Sequence, residues 1–401
     1  MHRDSLKVLV VSRLYPRPSD PVLGVFVEEE VRALSGHCQL KVASPVPWFP
    51  RLKIFKKWYA YTRAPVREIR EGVEVFRPRA IVFPRNFLFA FLGLSFYLSL
   101  RGCVKQLEKA FPFDLIHAHT VYPDGFAAVM LGKAFGRPTV ITLHGGDVSL
   151  YLKHPLVRRM GRWAFSKSDR AIAVSEALRT EVVDEHGADP RKISVIPNGV
   201  DVLRFAPMAQ EEAQARLVLT NEVPRILYVG GIESSKGIDH LLRAAGELRR
   251  NTQHSVEVVL VGEGRYKGRA KELATELGID DAVAFVGKRP NTEIPLWINA
   301  CDLLVLPSLS EGFGVVLIEA MACGKPVVTT RCGGPEDIVT PETGILVSPG
   351  DYMALAEALQ EVLSGQRRFD RQEIRRQAVA RYAYDSIARC IIEVYREIVG
   401  A

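Results

Sequence analysis

Short apolar, β-branched runs recur along this chain with longer helix-patterned segments between them, and about halfway the series starts again. In the first half the runs are Lys7–Val11, Gln39–Ala43, Val73–Phe76, Leu115–His117, Thr139–Thr142, Ala171–Val174 and Ser194–Ile196. Segments such as Val25–Leu34, Gly125–Phe135 and Leu156–Ser166 carry the helical period. The second series is Arg225–Val229, Val256–Val261, Ala284–Val286, Leu303–Leu306 and Val327–Thr329. Several runs are apolar throughout, as strands buried on both faces of a parallel sheet must be. Alternating strand and helix is the pattern of βαβ units, so the predicted class is α/β. The turn-forming Ile196-Pro-Asn-Gly-Val-Asp201 divides the two series. A length of 401 residues suits two such domains. We place them at 1–200 and 201–375, with a hinge around 197–207. A helical C-terminal segment over 376–401 is expected to pack back toward the first domain.

Hydrophobic residues make up 47% of the chain and charged residues 25%, a balance that excludes a disordered or collagen-like chain. The net charge of +7 favours anionic partners. Six scattered cysteines form no Cys-x-x-Cys pair, which argues against a zinc ribbon and against a disulfide framework. They fit a reducing compartment, and a cytoplasmic location is expected. The first residues lack the length and cleavage site of a secretory signal. The longest apolar stretch, Phe87–Leu100, is interrupted by Gly93 and falls short of the ~20 residues that span a bilayer.

Ligands of open α/β sheets bind beyond the carboxyl ends of the strands. The most informative residues there are Pro307-Ser-Leu-Ser-Glu-Gly-Phe-Gly-Val-Val-Leu-Ile-Glu-Ala-Met-Ala-Cys-Gly324. Glu311 sits in the loop, Gly312 and Gly314 permit close backbone approach, and a helix from about Gly314 to Cys323 follows. Its first turn offers unpaired N–H groups and a positive dipole, which suit a phosphate. Glu319 lies one turn past Val315, on the same face. Two carboxylates flanking an anion site suit sugar hydroxyls, since each accepts several hydrogen bonds. The plain alternative is a solvated helix with an acid near its start.

These residues resemble a known family. Glu311 and Glu319, with seven residues between them, match the paired glutamates of retaining glycosyltransferases of family 4. Gly333-Gly334-Pro335, Gly344-Ile-Leu-Val347 and Ile196-Pro-Asn-Gly-Val-Asp201 match further phrases of that family. The resemblance implies the GT-B architecture, two Rossmann-like domains with parallel sheets facing across a nucleotide-sugar cleft. The N-terminal domain would then bind acceptor and the C-terminal domain the donor. Gly312, Phe313, Gly314 and Val315 would form the donor-binding helix start. Glu319 would hold the ribose hydroxyls, and Glu311 the transferred sugar.

Lys236 follows the strand Arg225–Val229 and opens a helix, where a cation is disfavoured unless an anion binds nearby. The family places a lysine there on the donor diphosphate. The usual Gly-Arg of that loop is Gly230-Gly231 here, so the family's arginine is missing at the donor-side position Gly231. Gly24 opens the first helix and corresponds to a glycine beside the donor phosphates, although many relatives have a glycine pair where this chain has Leu23-Gly24. His119 corresponds to the acceptor-side histidine near the transferred sugar, and His144 to a sugar or phosphate contact. His117-Ala-His119 at a strand end also suits a metal hydrolase, which would need further ligands at later strand ends. His240 and His254 do not sit at such ends. Val261-Gly-Glu-Gly-Arg265 partly fits a dinucleotide fingerprint, but its third glycine, Gly268, comes one position late. Val286-Gly-Lys-Arg289 corresponds to a loop near the nucleobase.

Residues 51–85 hold ten Lys/Arg against three Glu, interleaved with Trp58, Tyr59 and Tyr61. With the apolar stretch that follows, residues 51–100 suit an anionic membrane surface or a lipid-diphosphate acceptor. No nucleic-acid motif accompanies the charge. The expected function is metal-independent, cofactor-free transfer of a sugar from a UDP-, GDP- or ADP-sugar to a glycan or lipid-linked acceptor, with retention, at the inner face of the membrane. The alternatives are a metal-dependent hydrolase using His117 and His119, and a non-catalytic sugar-nucleotide-binding protein.

Overall fold

The computed structural model describes residues 6–48, 54–83, 88–219, 223–251 and 256–400. Of the residues singled out above, Arg51, Lys53, Arg85, Phe87 and His254 lie outside that set, as do the side chains of Lys56, Lys57 and Trp58. The chain forms two compact units. One comprises Met1–Asn198 with Tyr384–Ala401, the other Gly199–Ala383.

The strands of the first unit are β1 (Lys7–Val11), β2 (Gln39–Ala43), β3 (Val46–Trp48), β4 (Arg67–Arg70), β5 (Val73–Phe76), β6 (Arg79–Ile81), β7 (Leu115–His119), β8 (Thr139–Leu143), β9 (Arg170–Ala173) and β10 (Ile193–Val195). Eight of them form one sheet in the order β10-β9-β8-β7-β1-β2-β5-β4. Every described pairing in it is parallel except β4 with β5. Alternate residues of β1 serve two cores. Val8 and Val10 pack with Val27, Val31 and Leu34 of the helix Val25–Leu34 and with Ile387, Ile391 and Tyr395 of the helix Tyr384–Val399. Leu9 and Val11 pack with Phe96, Leu100 and Val104 of the helix Leu92–Ala110. β3 and β6 pair separately as a short parallel ribbon.

The second unit carries β11 (Arg225–Val229), β12 (Glu257–Val261), β13 (Val283–Gly287), β14 (Leu303–Leu306), β15 (Val327–Thr330) and β16 (Gly344–Val347). Their order is β13-β12-β11-β14-β15-β16, parallel at every described pairing. Both units are thus Rossmann-like. In the second, strand order reverses between β11 and β14. In the first, it reverses between β1 and β7. Such reversals splay the loops beyond the strand ends and open a crevice.

The strands that sequence patterning misses are short and sit toward sheet margins. β4, Arg-Glu-Ile-Arg, alternates exposed and half-buried residues, β3 and β6 have three residues each, and β16 closes its sheet. Among the described residues no helix is long and apolar enough to cross a membrane. The six cysteines are all free thiols.

Candidate active site

In the second unit the crevice at the strand-order reversal is built from the loops after β11 and β14. Lys236 does not open a helix, as its position suggested. It ends a single 3₁₀ turn, Ser234–Lys236, and the helix Ile238–Asn251 begins two residues later. The cause is Gly237. Its φ is +67°, and a side chain there would run into the Pro307 carbonyl after β14. Only glycine fits such a left-handed, closely approached position, so the two loops are locked together. The Leu309 amide donates to the Ser235 carbonyl at 2.9 Å. This places the Lys236 Nζ 2.7 Å from Glu311 Oε2, an ion pair across the reversal point. The Ser308 hydroxyl donates to the same carboxylate oxygen at 3.3 Å.

Glu311 is held from behind as well. Its N–H donates to the Cys332 carbonyl, and its own carbonyl accepts from the Gly334 N–H at 2.9 Å. Phe313 is buried and meets Tyr382 edge-on. Gly314 caps the helix Val315–Ala322, on which Val315 and Glu319 are half-buried. Glu311, Gly312, Phe313, Gly314 and Lys236 therefore belong to one constellation, with Glu319 on the helix that leaves it. Gly231 lies on the loop after β11, where the Tyr228 hydroxyl donates to its carbonyl at 2.7 Å. A side chain there would meet only the Glu233 Cγ at 3.8 Å. Gly262-Glu-Gly264 is a packing turn. Its backbone bonds to the β11 loop, Ile232 N–H to the Glu263 carbonyl and Gly230 N–H to the Val261 carbonyl. A side chain at Gly262 or Gly264 would strike the Gly230 or Ile232 carbonyl, which explains both glycines by packing.

In the first unit the ends of β7 and β8 bring three histidines together. The His119 and His144 rings lie parallel, with Nδ1 of the former 3.2 Å from Nε2 of the latter. Phe26 packs edge-on against His144. Asp147 fixes the loop by accepting from the N–H groups of Val121 at 2.7 Å and His144 at 3.0 Å. Asp124 accepts from the Thr120 hydroxyl and the Arg13 N–H. Gly24, at φ +65°, starts the helix that carries Phe26 and Glu30, and a side chain there would strike the Leu14 backbone. Packing thus requires a glycine at this position.

Burial governs the protonation of this cluster. It drives His117 and His144 down to about 3, and His119 well below its ordinary value. It pushes Glu30 up to about 8 and Asp124 up to about 7. Glu30, His117 and His119 offer three ligand atoms within 4.8 Å of one another, the grouping a metal hydrolase would use. Both ring nitrogens of His117 are already engaged, however, with the Thr142 hydroxyl at 2.7 Å and the Tyr395 hydroxyl at 2.6 Å. His117 is thus a bonded core histidine. Sequence reasoning passed over Glu30, although its signal was present: it shares the buried helix face with Val27, Val31 and Leu34. A carboxyl in an apolar stripe marks a position that needs a partner from elsewhere.

The comparisons with known proteins identify the family and the fold. Residues 209–385 match the family Glycosyl transferases group 1, and residues 42–204 match Glycosyltransferase Family 4. A Bacillus subtilis protein assigned as the teichuronic acid biosynthesis glycosyltransferase TuaC is 32% identical over 95% of this chain and 94% of its own. The D-inositol 3-phosphate glycosyltransferase 2 of Catenulispora acidiphila is 34% identical over 71% of this chain and 70% of its own. Sucrose-phosphate synthase from Thermosynechococcus elongatus superposes with a TM-score of 0.82 at 24% identity, over 98% and 99% of the two chains. The Anabaena protein HepE in complex with UDP-glucose superposes at 0.74 and 22% identity, over 98% and 100%. With two Rossmann-like units, full-length similarity to a glycosyltransferase and this pattern of matches, the chain belongs to the group 1 glycosyltransferases of GT-B fold.

Proposed function

We propose that this chain transfers a sugar from a nucleoside-diphosphate donor to an acceptor hydroxyl with retention of anomeric configuration, and without a metal. The observation that carries the reading is the Lys236–Glu311 ion pair at the strand-order reversal of the second unit. A donor diphosphate competes with Glu311 for that lysine and gains the N–H groups at the start of the helix Val315–Ala322. Glu311, released, turns to the hydroxyls of the transferred sugar, and Glu319 holds the ribose. His119 stands on the acceptor side, and His144 contacts sugar or phosphate oxygen. A uridine or adenosine diphosphate sugar is supported by solved neighbours that hold UDP-glucose or ADP.

The two glutamates separate the steps. Loss of a charged hydrogen-bond partner costs roughly 1.5–3 kcal/mol, about ten- to a hundredfold in affinity. Glu319→Ala is expected to weaken binding of bare nucleotide by that factor in calorimetry. Glu311→Ala is expected to bind bare nucleotide at least as well as the wild type, since the competitor for Lys236 is gone, and to weaken the sugar nucleotide. Unchanged affinities in both variants would refute the assignment.

The reading extends to an anionic membrane surface at residues 51–100, near a lipid-linked acceptor. Leu88, Phe91, Leu94 and Leu98 are exposed along one stretch, beside an apolar hollow lined by Ile81, Phe83 and Phe89. Much of the positive charge is engaged within the unit. Arg67, Arg70 and Arg77 pair with Glu74, Glu28 and Glu68, and Arg79 donates to the Tyr61 and Ala64 carbonyls. Binding to anionic vesicles is therefore expected to rest on apolar insertion as much as on charge. It should survive in part at 0.5 M salt, where the Debye length is below about 8 Å. The double variant Leu94→Glu/Leu98→Glu should abolish it at any salt, and co-sedimentation unaffected by that change would contradict the reading.

A further inference from the structure

Two buried polar atoms of the first unit face each other without a hydrogen bond. Glu30 Oε1 and His119 Nε2 are 3.7 Å apart. Neither has a partner, and the residues are 5% and 0% exposed. Buried polar groups are almost always bonded, so such a pair asks for an account. On its other side His119 shares a hydrogen bond with His144, whose remaining nitrogen, Nδ1, is again buried and unpartnered. A bond between two neutral imidazoles needs one N–H and one lone pair, and each neutral ring carries a single proton. The row Glu30, His119, His144 therefore admits only two proton arrangements.

We propose that Glu30 is a positioning residue that, through His119, sets which ring nitrogen of His144 carries the proton. With the carboxyl protonated, its O–H donates to His119 Nε2 once the contact shortens to about 3 Å, a hydrogen-bond distance. His119 then carries its proton on Nδ1 and donates to His144 Nε2, leaving Nδ1–H of His144 as a donor for a ligand oxygen. With the carboxylate ionised, His119 carries its proton on Nε2 and donates to Glu30, and its bare Nδ1 accepts from His144 Nε2–H. The free Nδ1 of His144 is then an acceptor for the hydrogen bond of a ligand hydroxyl. One proton leaves the row in passing from the first arrangement to the second, and each ring keeps one.

The groups around the Glu30 carboxyl are His119 and His117 from β7, with Tyr395 and Cys38 beyond. None is cationic at neutral pH, so nothing nearby holds the carboxylate. Its titration is raised to about 8 by burial, which places the change of arrangement within the working range. The bearing on catalysis rests on the transferase reading, whereas the proton positions do not.

The test is nitrogen-15 NMR of histidine-labelled protein from pH 6 to 9.5, with the His144 signals assigned by their loss in His144→Gln. The expected wild-type result is that His144 passes from the Nδ1–H to the Nε2–H tautomer, with a midpoint near 8, and His119 with it. Glu30→Gln cannot titrate, and Glu30→Leu cannot bond, so both should hold one distribution across the range. A wild-type His144 tautomer that stays constant overturns the proposal, whether or not the variants fold. A transition that persists in Glu30→Gln overturns it equally. A protein that shows the wild-type transition yet turns over no nucleotide sugar upholds the row and counts against the transferase reading alone.

Discussion

Lys236→Ala is expected to lower turnover by a hundredfold or more, with a smaller effect on donor binding. A lysine about 4 Å from a phosphate oxygen contributes on the order of 4 kcal/mol at an effective dielectric near 20, before desolvation is subtracted. That attraction grows as the leaving diphosphate gains charge, so it acts mainly on the transition state. The Glu311 pair sharpens the prediction. If Lys236 served only to hold Glu311, the two alanine variants would lose similar activity and the double variant no more than either. If it also neutralises the leaving group, Lys236→Ala loses more in kcat than Glu311→Ala, and the double variant shows a coupling term. Lys236→Arg should recover only part of the rate, because the guanidinium fork cannot reproduce a compact ammonium in the slot set by Gly237. Gly231→Arg should tighten donor binding, since the space at Gly231 is open. EDTA should leave the wild-type rate nearly unchanged. Activity lost with EDTA and restored by a divalent ion would refute this account, as would wild-type turnover in Lys236→Ala.

The parts of this fold that can be read from sequence are those whose local pattern coincides with their tertiary role. β14 and residues 258–261 of β12 are buried on both faces, so they form unbroken apolar runs with polar neighbours. β4, Arg-Glu-Ile-Arg, pairs antiparallel along a sheet margin and carries no such run, because its partner alone makes it a strand. Among the candidate residues, Glu311 stood out through its glycines and its place after β14. The register of Lys236 did not, because the 3₁₀ turn before it depends on a contact with Pro307, seventy residues on. His117 and His119 are two residues apart and look equivalent in sequence. They differ because Tyr395, from the far end of the chain, takes one nitrogen of His117, while His119 faces Glu30 and His144. The Gly-Glu-Gly turn shows the opposite hazard, a ligand-like pattern required by packing between neighbouring loops.

Acid should unfold the first unit abruptly below about pH 4.5, after a plateau that extends nearly to neutrality. His117, His119 and His144 are neutral when folded and bind protons when unfolded near the ordinary 6.5, so each removes stability as pH falls from there, His117 and His144 down to about 3. Glu30, Asp124 and Asp147 act in the other direction. Burial raises all three, so the folded state holds protons that the unfolded chain has released. Between about 4.5 and 6.5 Glu30 and Asp124 offset two of the three imidazoles, and Asp147 acts in the same sense. Below that window the carboxyls are protonated in both states and stop compensating, whereas the histidines still take up protons on unfolding. Each proton is worth about 1.4 kcal/mol per pH unit, so three give a slope of about 4 kcal/mol per unit, against a total stability of about 5–15 kcal/mol for a domain. On the alkaline side stability should fall again as pH rises through 7 to 8, where Glu30 and Asp124 must ionise inside, and Glu30→Gln should remove part of that fall. Urea titrations at pH 6, 5, 4 and 3.5 measure the slope. In Trp297→Phe the remaining tryptophans, 48, 58 and 163, all belong to the first unit, so fluorescence follows it alone. A shallow, even decline from pH 6.5 downward, with less than one proton taken up on unfolding at pH 4, would show that the histidines are not held neutral in the core.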